Sequence, residues 1–400
     1  MNDTNNLQFQ ILYLDMGITT QIGGAQYFGS RLMEQLSDKY KFLVISNKEK
    51  FYSQLQINNY EVIKQGKLMK IVSRFLDSIY RLNNRILIVF FALPLVIIYS
   101  IFCSRTISSL DNKFDLILSG DGYYQGEIIT MLTKSYKKPF VNILNTAEPT
   151  ELKGVPGSRI ILTAILKFTT KLYNLYFIAL NNSVAKLFEN LFPGKSMQIP
   201  VGVNTDEYTT CDFNKKNNYI IYVGRLDEGQ KNISLLIETF ALIKDNRYSL
   251  IIAGSGNDSD KYSKMISELN LTNKCYMIGN ISTDKKIKLL SESKIFVNPS
   301  VREGQSSTVL EAMSCGTAVV CVKNEGSNDT ITDGYDGILV DNDKNSLKLV
   351  LEDLMNNDQK LRELSLNARK SAIHKYSISN VAKQYDKVFK ELLERTNESI

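Results

Sequence analysis

Four hundred residues, 44% hydrophobic and 22% charged, are ordinary globular material, enough for two to three domains at about 150 residues each. The five cysteines (Cys103, Cys211, Cys275, Cys315, Cys321) are odd in number and lack C-x-x-C spacing, which argues against a disulfide framework or a zinc site. The single histidine, His374, excludes a Ser-His-Asp triad. The net charge of +6 suits an anionic surface, but the basic residues stand beside long aliphatic runs rather than spaced aromatics, so nucleic acid is not an expected partner.

In chain order, the start (Met1 to Asn6) has no basic flank or apolar core, so no signal peptide is expected and the chain fits a reducing cytoplasm. A strand over 9–14 leads through a loop with Thr19, Thr20, Gly23 and Gly24 into a helix over 25–36. Glycine there permits close backbone approach to a phosphate, or simply a tight turn into the helix. Further strands are predicted over 42–46, 116–119, 140–144 and 177–180. Between them lies an amphipathic helix over 67–81, with Leu68, Ile71, Val72, Phe75, Leu76 and Ile79 on one stripe and Lys67, Lys70, Arg74 and Arg81 on another. The run 86–103 holds eighteen residues without a charge, with Arg85 before it, Arg105 after it and Pro94 in its middle. A core helix, a monotopic insertion and a membrane span all fit that run. A second basic amphipathic helix is predicted over 159–176, and such helices suit an anionic membrane surface.

A boundary is expected from Phe192-Pro193-Gly194 to Gly202, with a polar stretch over 212–218. The second half repeats the strand–helix alternation, with strands over 219–223, 249–253, 274–278, 295–298 and 318–322. This alternation predicts two parallel, doubly wound α/β sheets. The strand over 219–223 runs into a loop carrying Arg225 and Lys231 before a helix over 233–243. A bidentate Arg and a point-charge Lys at the carboxyl end of a strand fit a diphosphate, or are solvated surface charges. Gly254-Ser255-Gly256 follows the next strand but lacks the third glycine and the ribose-binding acid of a dinucleotide fold. After 295–298, Glu303 precedes a loop of small residues and Glu311 lies inside the following helix. Unpaired N–H groups at that helix N-terminus suit phosphate oxygens, and carboxylates beside them suit hydroxyls. Glu311 as a surface residue and Glu303 as a loop acid is the plainer alternative. The acids of Asp341-Asn342-Asp343 sit in a polar turn away from the phosphate residues in sequence, so no metal role is expected. His374 reads as a surface or packing residue. The final run, 381–393, is helical with Val381, Tyr385, Val388 and Leu392 on one face.

Together these segments resemble the retaining glycosyltransferases of family 4. The matching residues are Gly224-Arg225-Leu226 with Lys231-Asn232, Ile251 to Gly256, Tyr276 to Asn280, Glu303 to Glu311, and Ala312-Met313-Ser314-Cys315-Gly316. Ile199 to Asn204 and Gly334-Tyr335-Asp336-Gly337 add to them, and Gly23-Gly24-Ala25-Gln26 looks like that family's glycine loop. The resemblance is strongest from about residue 195 to 345. It implies the GT-B fold: two Rossmann-like domains facing across a cleft. Residues 1–197, with a crossing helix at about 378–400, would bind the acceptor, and 198–377 the donor.

The implied reaction moves a hexose-type sugar from a nucleotide diphosphate-sugar, with retention, to a saccharide or lipid-linked acceptor, as in cell-surface polysaccharide or glycolipid synthesis. By resemblance Glu303 takes the sugar hydroxyls and Glu311 the ribose, with Arg225, Lys231 and Glu303 as the catalytic residues. Gly24, Gly224, Gly254, Ile278, Ser306, Ser307, Thr308 and Val309 complete the donor site. No cofactor or metal is expected, because Arg225, Lys231 and helix N–H groups can supply the positive charge. No enzymatic nucleophile is evident. Several relatives place a histidine in the first domain; here the corresponding stretch is Asn142 to Glu148, where Asn145 or Glu148 could take the role. An epimerase or phosphorylase-like enzyme of the same fold, or a non-catalytic membrane-bound scaffold, are the alternatives. The first lacks identifiable acid/base carboxylates or a much longer chain; the second would be expected to have lost Arg225, Lys231 or Glu303. The expected location is peripheral, on the inner face of the cell membrane.

Overall fold

The computed structural model describes residues 9–15, 24–46, 48–55, 57–64, 93–120, 138–144 and 175–398. They divide into two compact units: Met1–Pro200 with Ala382–Ile400, and Val201–Val381.

The first unit carries a seven-stranded, wholly parallel sheet in the order β3-β2-β1-β4-β5-β6-β7. Its strands are β1 (Phe9–Asp15), β2 (Tyr40–Ser46), β3 (Tyr60–Val62), β4 (Leu116–Ser119), β5 (Phe140–Leu144), β6 (Leu175–Ala179) and β7 (Ser196–Gln198). The central strands β4 and β5 are buried at every position, as expected of a parallel sheet covered on both faces. The edge strands β3 and β7 are three residues each and keep no fully buried position.

Helix α1 (Gly24–Leu36) follows β1 and α2 (Glu49–Tyr52) follows β2. Helix α3 (Leu93–Ser109) packs Cys103 and Ile107 into the core with Leu12, Phe114 and Ile117, while Ile98 and Ile101 stay 41% and 36% exposed. The apolar run 86–103 is thus part of the domain core at its carboxyl end; residues 86–92 lie outside the described residues, as does the predicted helix 67–81. One expectation is corrected. Leu175 and Tyr176, assigned to a helix over 159–176, belong to β6, where Leu175 pairs with Phe140 and is fully buried. Pairing with β5 decides this short apolar segment, which periodicity alone leaves ambiguous. Residues 159–174 lie outside the described residues. Helix α4 (Asn182–Leu191) then packs Val184 and Phe188 beneath β6.

The second unit carries a six-stranded parallel sheet in the order β10-β9-β8-β11-β12-β13. Its strands are β8 (Asn217–Val223), β9 (Ser249–Ala253), β10 (Cys275–Gly279), β11 (Ser293–Asn298), β12 (Ala318–Val322) and β13 (Ile338–Val340). The helices between them are α5 (Glu228–Lys231), α6 (Ile233–Leu242), α7 (Ser259–Glu268), α8 (Thr283–Glu292), α9 (Ser307–Ser314) and α10 (Glu325–Thr330). They are followed by α11 (Lys344–Asn356) and α12 (Asp358–Tyr376). Seven residues of α6 are buried, because sheet and α11 enclose it from two sides. The last helix, α13 (Ile378–Glu398), belongs to the second unit up to Val381 and to the first from Ala382 onward. In the first unit its Tyr385 and Phe389 rings meet Phe28 and Tyr40, and Asp386 accepts bonds from Lys39 Nζ (2.7 Å) and Tyr40 OH (2.8 Å).

Candidate active site

In the second sheet the chain steps outward from β8 to β9 and β10, then returns to lay β11 on the other side of β8. At such a reversal the loops leaving the two central strands diverge and open a crevice at their carboxyl ends. Both loops here carry charged residues singled out above. After β8 come Gly224 and the exposed Arg225, whose Nη2 donates to Gln230 Oε1 (2.9 Å) while its carbonyl accepts from the Tyr222 hydroxyl (2.8 Å). Lys231 ends α5 beside Asn232, which takes the left-handed conformation at φ 51° and breaks α5 from α6.

The β11 loop is stitched to this one. Gln230 Nε2 donates to Arg302 O (3.1 Å), Arg302 Nη2 to Gly229 O (3.0 Å) and Val301 N to Gln230 O (3.0 Å). Lys231 Nζ donates to Glu303 Oε1, and the two side chains are only 13% and 9% exposed.

Two glycine contacts set the floor of the crevice. Gly254 stands at φ 138°, and a Cβ there would lie 1.8 Å from the Gly224 carbonyl oxygen, so only glycine lets the ends of β8 and β9 meet. Gly254 N also donates to Gly279 O (2.8 Å) at the end of β10, beside the half-buried Ile278. Across the crevice, Gly326 N donates to Glu303 O (3.1 Å), and a Cβ on Gly326 would come within 2.5 Å of Gly304 O. The start of α10 thereby fixes the Glu303 backbone.

Ser306 precedes α9 without capping it: among the described residues no side chain bonds the first-turn N–H groups, and Ser306 Oγ instead meets Thr308 Oγ1 at 3.1 Å. The N–H groups at Ser307, Thr308 and Val309 therefore present a partial positive charge suited to an anion. Val309, Leu310, Ala312 and Met313 bury the opposite face of α9. Glu311 Oε1 accepts from Lys286 Nζ (2.7 Å) and Tyr208 OH (2.9 Å), whereas its Oε2 is buried with no hydrogen-bond partner. Burial pushes this carboxyl up, opposed by the Lys286 cation and the bonds from Lys286 and Tyr208.

The structure thus places Gly224, Arg225, Gly254, Glu303 and Ser306 on loops at the carboxyl ends of neighbouring strands, Lys231 at the end of α5 and Ser307–Val309 in the first turn of α9, with Glu311 one turn into α9 and Ile278 at the end of β10. Lys286 and Tyr208 escaped the sequence reading. Lys286 is one of three lysines over 285–288 on a polar helix, and nothing in that pattern distinguishes it. In the first unit, Gly24 is the first described residue of α1 and Asn142 is buried in β5; residues 16–23 and 145–150 lie outside the described residues.

The Asp341 and Asp343 carboxylates are engaged elsewhere. Asp341 pairs with Lys323 (2.8 Å), and Asp343 caps α11 by accepting from the Asn345 and Ser346 N–H groups (both 2.9 Å). His374 is exposed on α12. Among the described residues no group of three or more His, Cys, Asp or Glu side chains is placed to hold a metal ion.

Residues 210–371 match the family model of the glycosyl transferases group 1. One relative is the N-acetylgalactosamine-N,N'-diacetylbacillosaminyl-diphospho-undecaprenol 4-alpha-N-acetylgalactosaminyltransferase of Campylobacter jejuni. It is 34% identical over 179 residues, 44% of this chain and 45% of that one. Another is the poly(ribitol-phosphate) alpha-N-acetylglucosaminyltransferase of Staphylococcus aureus, 34% identical over 163 residues, 40% of this chain and 33% of that one. The chain thus spans less than half the length of either relative. The crystal structure of Anabaena Alr3699/HepE in complex with UDP aligns with 96% of this chain and 100% of its own at a TM-score of 0.74 and 17% identity. At that identity the likeness is one of fold, and the fold is GT-B.

Proposed function

We propose that the chain is a retaining glycosyltransferase that moves a hexose-type sugar from a nucleotide diphosphate donor to a saccharide or lipid-linked acceptor. The observation that carries this reading is the convergence of Arg225, Lys231, Glu303 and the uncapped α9 N-terminus at the reversal point of a sheet whose residues 210–371 match the family. In the reaction the bond from the anomeric carbon to the diphosphate breaks and its electron pair stays on the phosphate oxygen. Arg225, Lys231 and the N–H groups at Ser307–Val309 are suited to that growing negative charge, and Glu303 to hydroxyls of the sugar as it becomes cationic. The acceptor hydroxyl bonds to the same face of the anomeric carbon and gives its proton to the departing phosphate oxygen. That route needs no enzymatic nucleophile. The relatives' lipid-linked and polyol-phosphate substrate names support an acceptor of cell-surface chemistry.

The reading extends to a peripheral membrane location. No described helix is long and apolar enough to cross a membrane, and α3 turns Ile98 and Ile101 outward while Cys103 and Ile107 lie in the core. An exposed apolar face on a domain anchored from behind is suited to rest in a lipid surface.

The test is a screen of nucleoside diphosphate sugars for release of the nucleoside diphosphate, followed by proton NMR of the product's anomeric signal. Release from at least one donor, with the product's anomeric configuration matching the donor's, is expected. Inversion would overturn the retaining assignment, and a wild-type rate in the Arg225→Ala variant would remove Arg225 from the site.

A further inference from the structure

We infer that Lys286 and Tyr208 are positioning residues that hold one oxygen of Glu311, so that its other oxygen is presented as the acceptor for a nucleotide ribose hydroxyl. This rests on the donor-site reading above and adds to it two residues with no place in the motif. The observation is the asymmetry of the carboxylate. Oε1 takes two bonds, from Lys286 Nζ at 2.7 Å and Tyr208 OH at 2.9 Å, while Oε2 is shut from solvent and has no partner. A buried carboxylate oxygen without a donor is costly, and native sites rarely keep one without use.

The arrangement around the pair is rigid. Lys286 Nζ lies 5.2 Å from the Tyr208 ring centroid, so the cation is held against the tyrosine as well as the carboxylate. Tyr208 is fixed in turn through its backbone: its carbonyl accepts from Ser314 Oγ (2.8 Å) and from Arg369 Nη1 (2.7 Å). Arg369 also binds Ser314 O (2.6 Å) and Thr205 O (3.0 Å), tying the end of α9 to the segment that carries Tyr208.

The charges facing Glu311 are few. Lys286 comes from α8, Glu207 and Tyr208 from the segment before β8, and Cys315 from just beyond α9, with Lys216 and Arg369 beyond Cys315. Burial raises the Glu311 carboxyl and Glu207 adds to it, while Lys286 is the strongest of the groups that oppose the rise. A carboxylate with one unpartnered oxygen discriminates for a hydroxyl. A ligand lacking that hydroxyl leaves Oε2 buried and unpaired.

The experiment titrates wild type, Lys286→Met, Lys286→Arg and Tyr208→Phe with UDP, GDP and ADP, each beside its 2′,3′-dideoxy counterpart, across about pH 6 to 9. Wild type is expected to bind at least one ribonucleotide roughly 10-fold or more tighter than its dideoxy form. In Lys286→Met the preference should collapse, and residual ribonucleotide affinity should rise with pH as Glu311 loses its proton. Lys286→Arg should restore much of the preference, and Tyr208→Phe should weaken it. Should Lys286→Met fold poorly, the double variant Lys286→Met/Glu311→Gln removes the unpaired charge and should fold while showing no preference. A wild-type preference that Lys286→Met retains, with the wild-type pH profile, overturns this inference alone; one that the double variant retains overturns the ribose assignment of Glu311 as well. A wild-type protein that binds none of the nucleotides, or binds each pair equally, overturns the ribose assignment of Glu311 and this inference with it.

Discussion

Lys231 and Glu303, 72 residues apart in sequence, form an ion pair shielded from solvent at the reversal point of the second sheet. The pair restrains both proposed donor contacts, and it makes each the other's charge compensation. Removing either partner leaves a charge in a site where water cannot fully replace the contact.

Lys231→Met and Glu303→Gln are therefore each expected to cost roughly 1–3 kcal/mol of stability, with the double variant losing less than the sum of the two. Urea denaturation of the four proteins measures the coupling. Transfer should stay low in all three variants, because recovered stability does not return the charge needed by diphosphate and sugar. Glu303→Gln should keep nucleotide binding, whereas Glu311→Ala should weaken it. The reverse pattern would exchange the two roles.

Gly254 and Gly279 give a matched comparison of backbone effects. Both have positive φ, but a Cβ at Gly254 would strike the Gly224 carbonyl at 1.8 Å, whereas one at Gly279 has nothing within 4 Å. Gly279→Ala should cost about 1–2 kcal/mol, the penalty for a left-handed L-residue. Gly254→Ala must also part β8 from β9, so it should cost clearly more and displace Arg225. Chemical denaturation gives the ranking, and equal losses would show that the close approach relaxes freely.

Asp386 predicts an acid-sensitive attachment of α13 to the first unit. Burial works against its charge, but the bonds from Lys39, Tyr40 and Lys390 prevail and hold its carboxyl below the usual range. A depressed carboxylate contributes stability that is present above its unfolded value, about 3.9, and is lost as pH falls through the folded one. Asp386→Asn should thus lower the melting temperature at neutral pH, with the gap to wild type closing below about pH 4. A gap constant from pH 7 to pH 3 would count against the charge as the cause.

For α3, Ile98→Ser with Ile101→Ser should weaken co-sedimentation with anionic liposomes while leaving the melting temperature nearly unchanged. Ile107→Ser, in the core, should destabilise by about 2–5 kcal/mol without a specific effect on lipid binding. Binding to wild type should fall with added salt yet persist in part, since an inserted apolar face is not screened. Indifference of the intact protein to anionic vesicles at low salt would sink the membrane reading.

The long buried strands of both sheets are legible in the sequence because a parallel strand covered on both faces must be apolar throughout, as in Ala318–Val322 and Phe140–Leu144. The strand–helix alternation then leaves few architectures open and gives two doubly wound parallel sheets, and the motif resemblance adds the GT-B class. The edge strands Tyr60–Val62 and Ser196–Gln198 are too short and too wet to carry a period, and Leu175-Tyr176 looks the same on a helix as on a strand until a neighbour pairs with it. The charges on the loops after β8 and β11 could be named from sequence as types at strand ends. That Lys231 meets Glu303, and that Lys286 and Tyr208 share one oxygen of Glu311, only the tertiary structure decides. These contacts join residues 25 to 103 positions apart, and their geometry depends on strand order and on the close backbone approaches at Gly254 and Gly326, which leave no local trace in the chain.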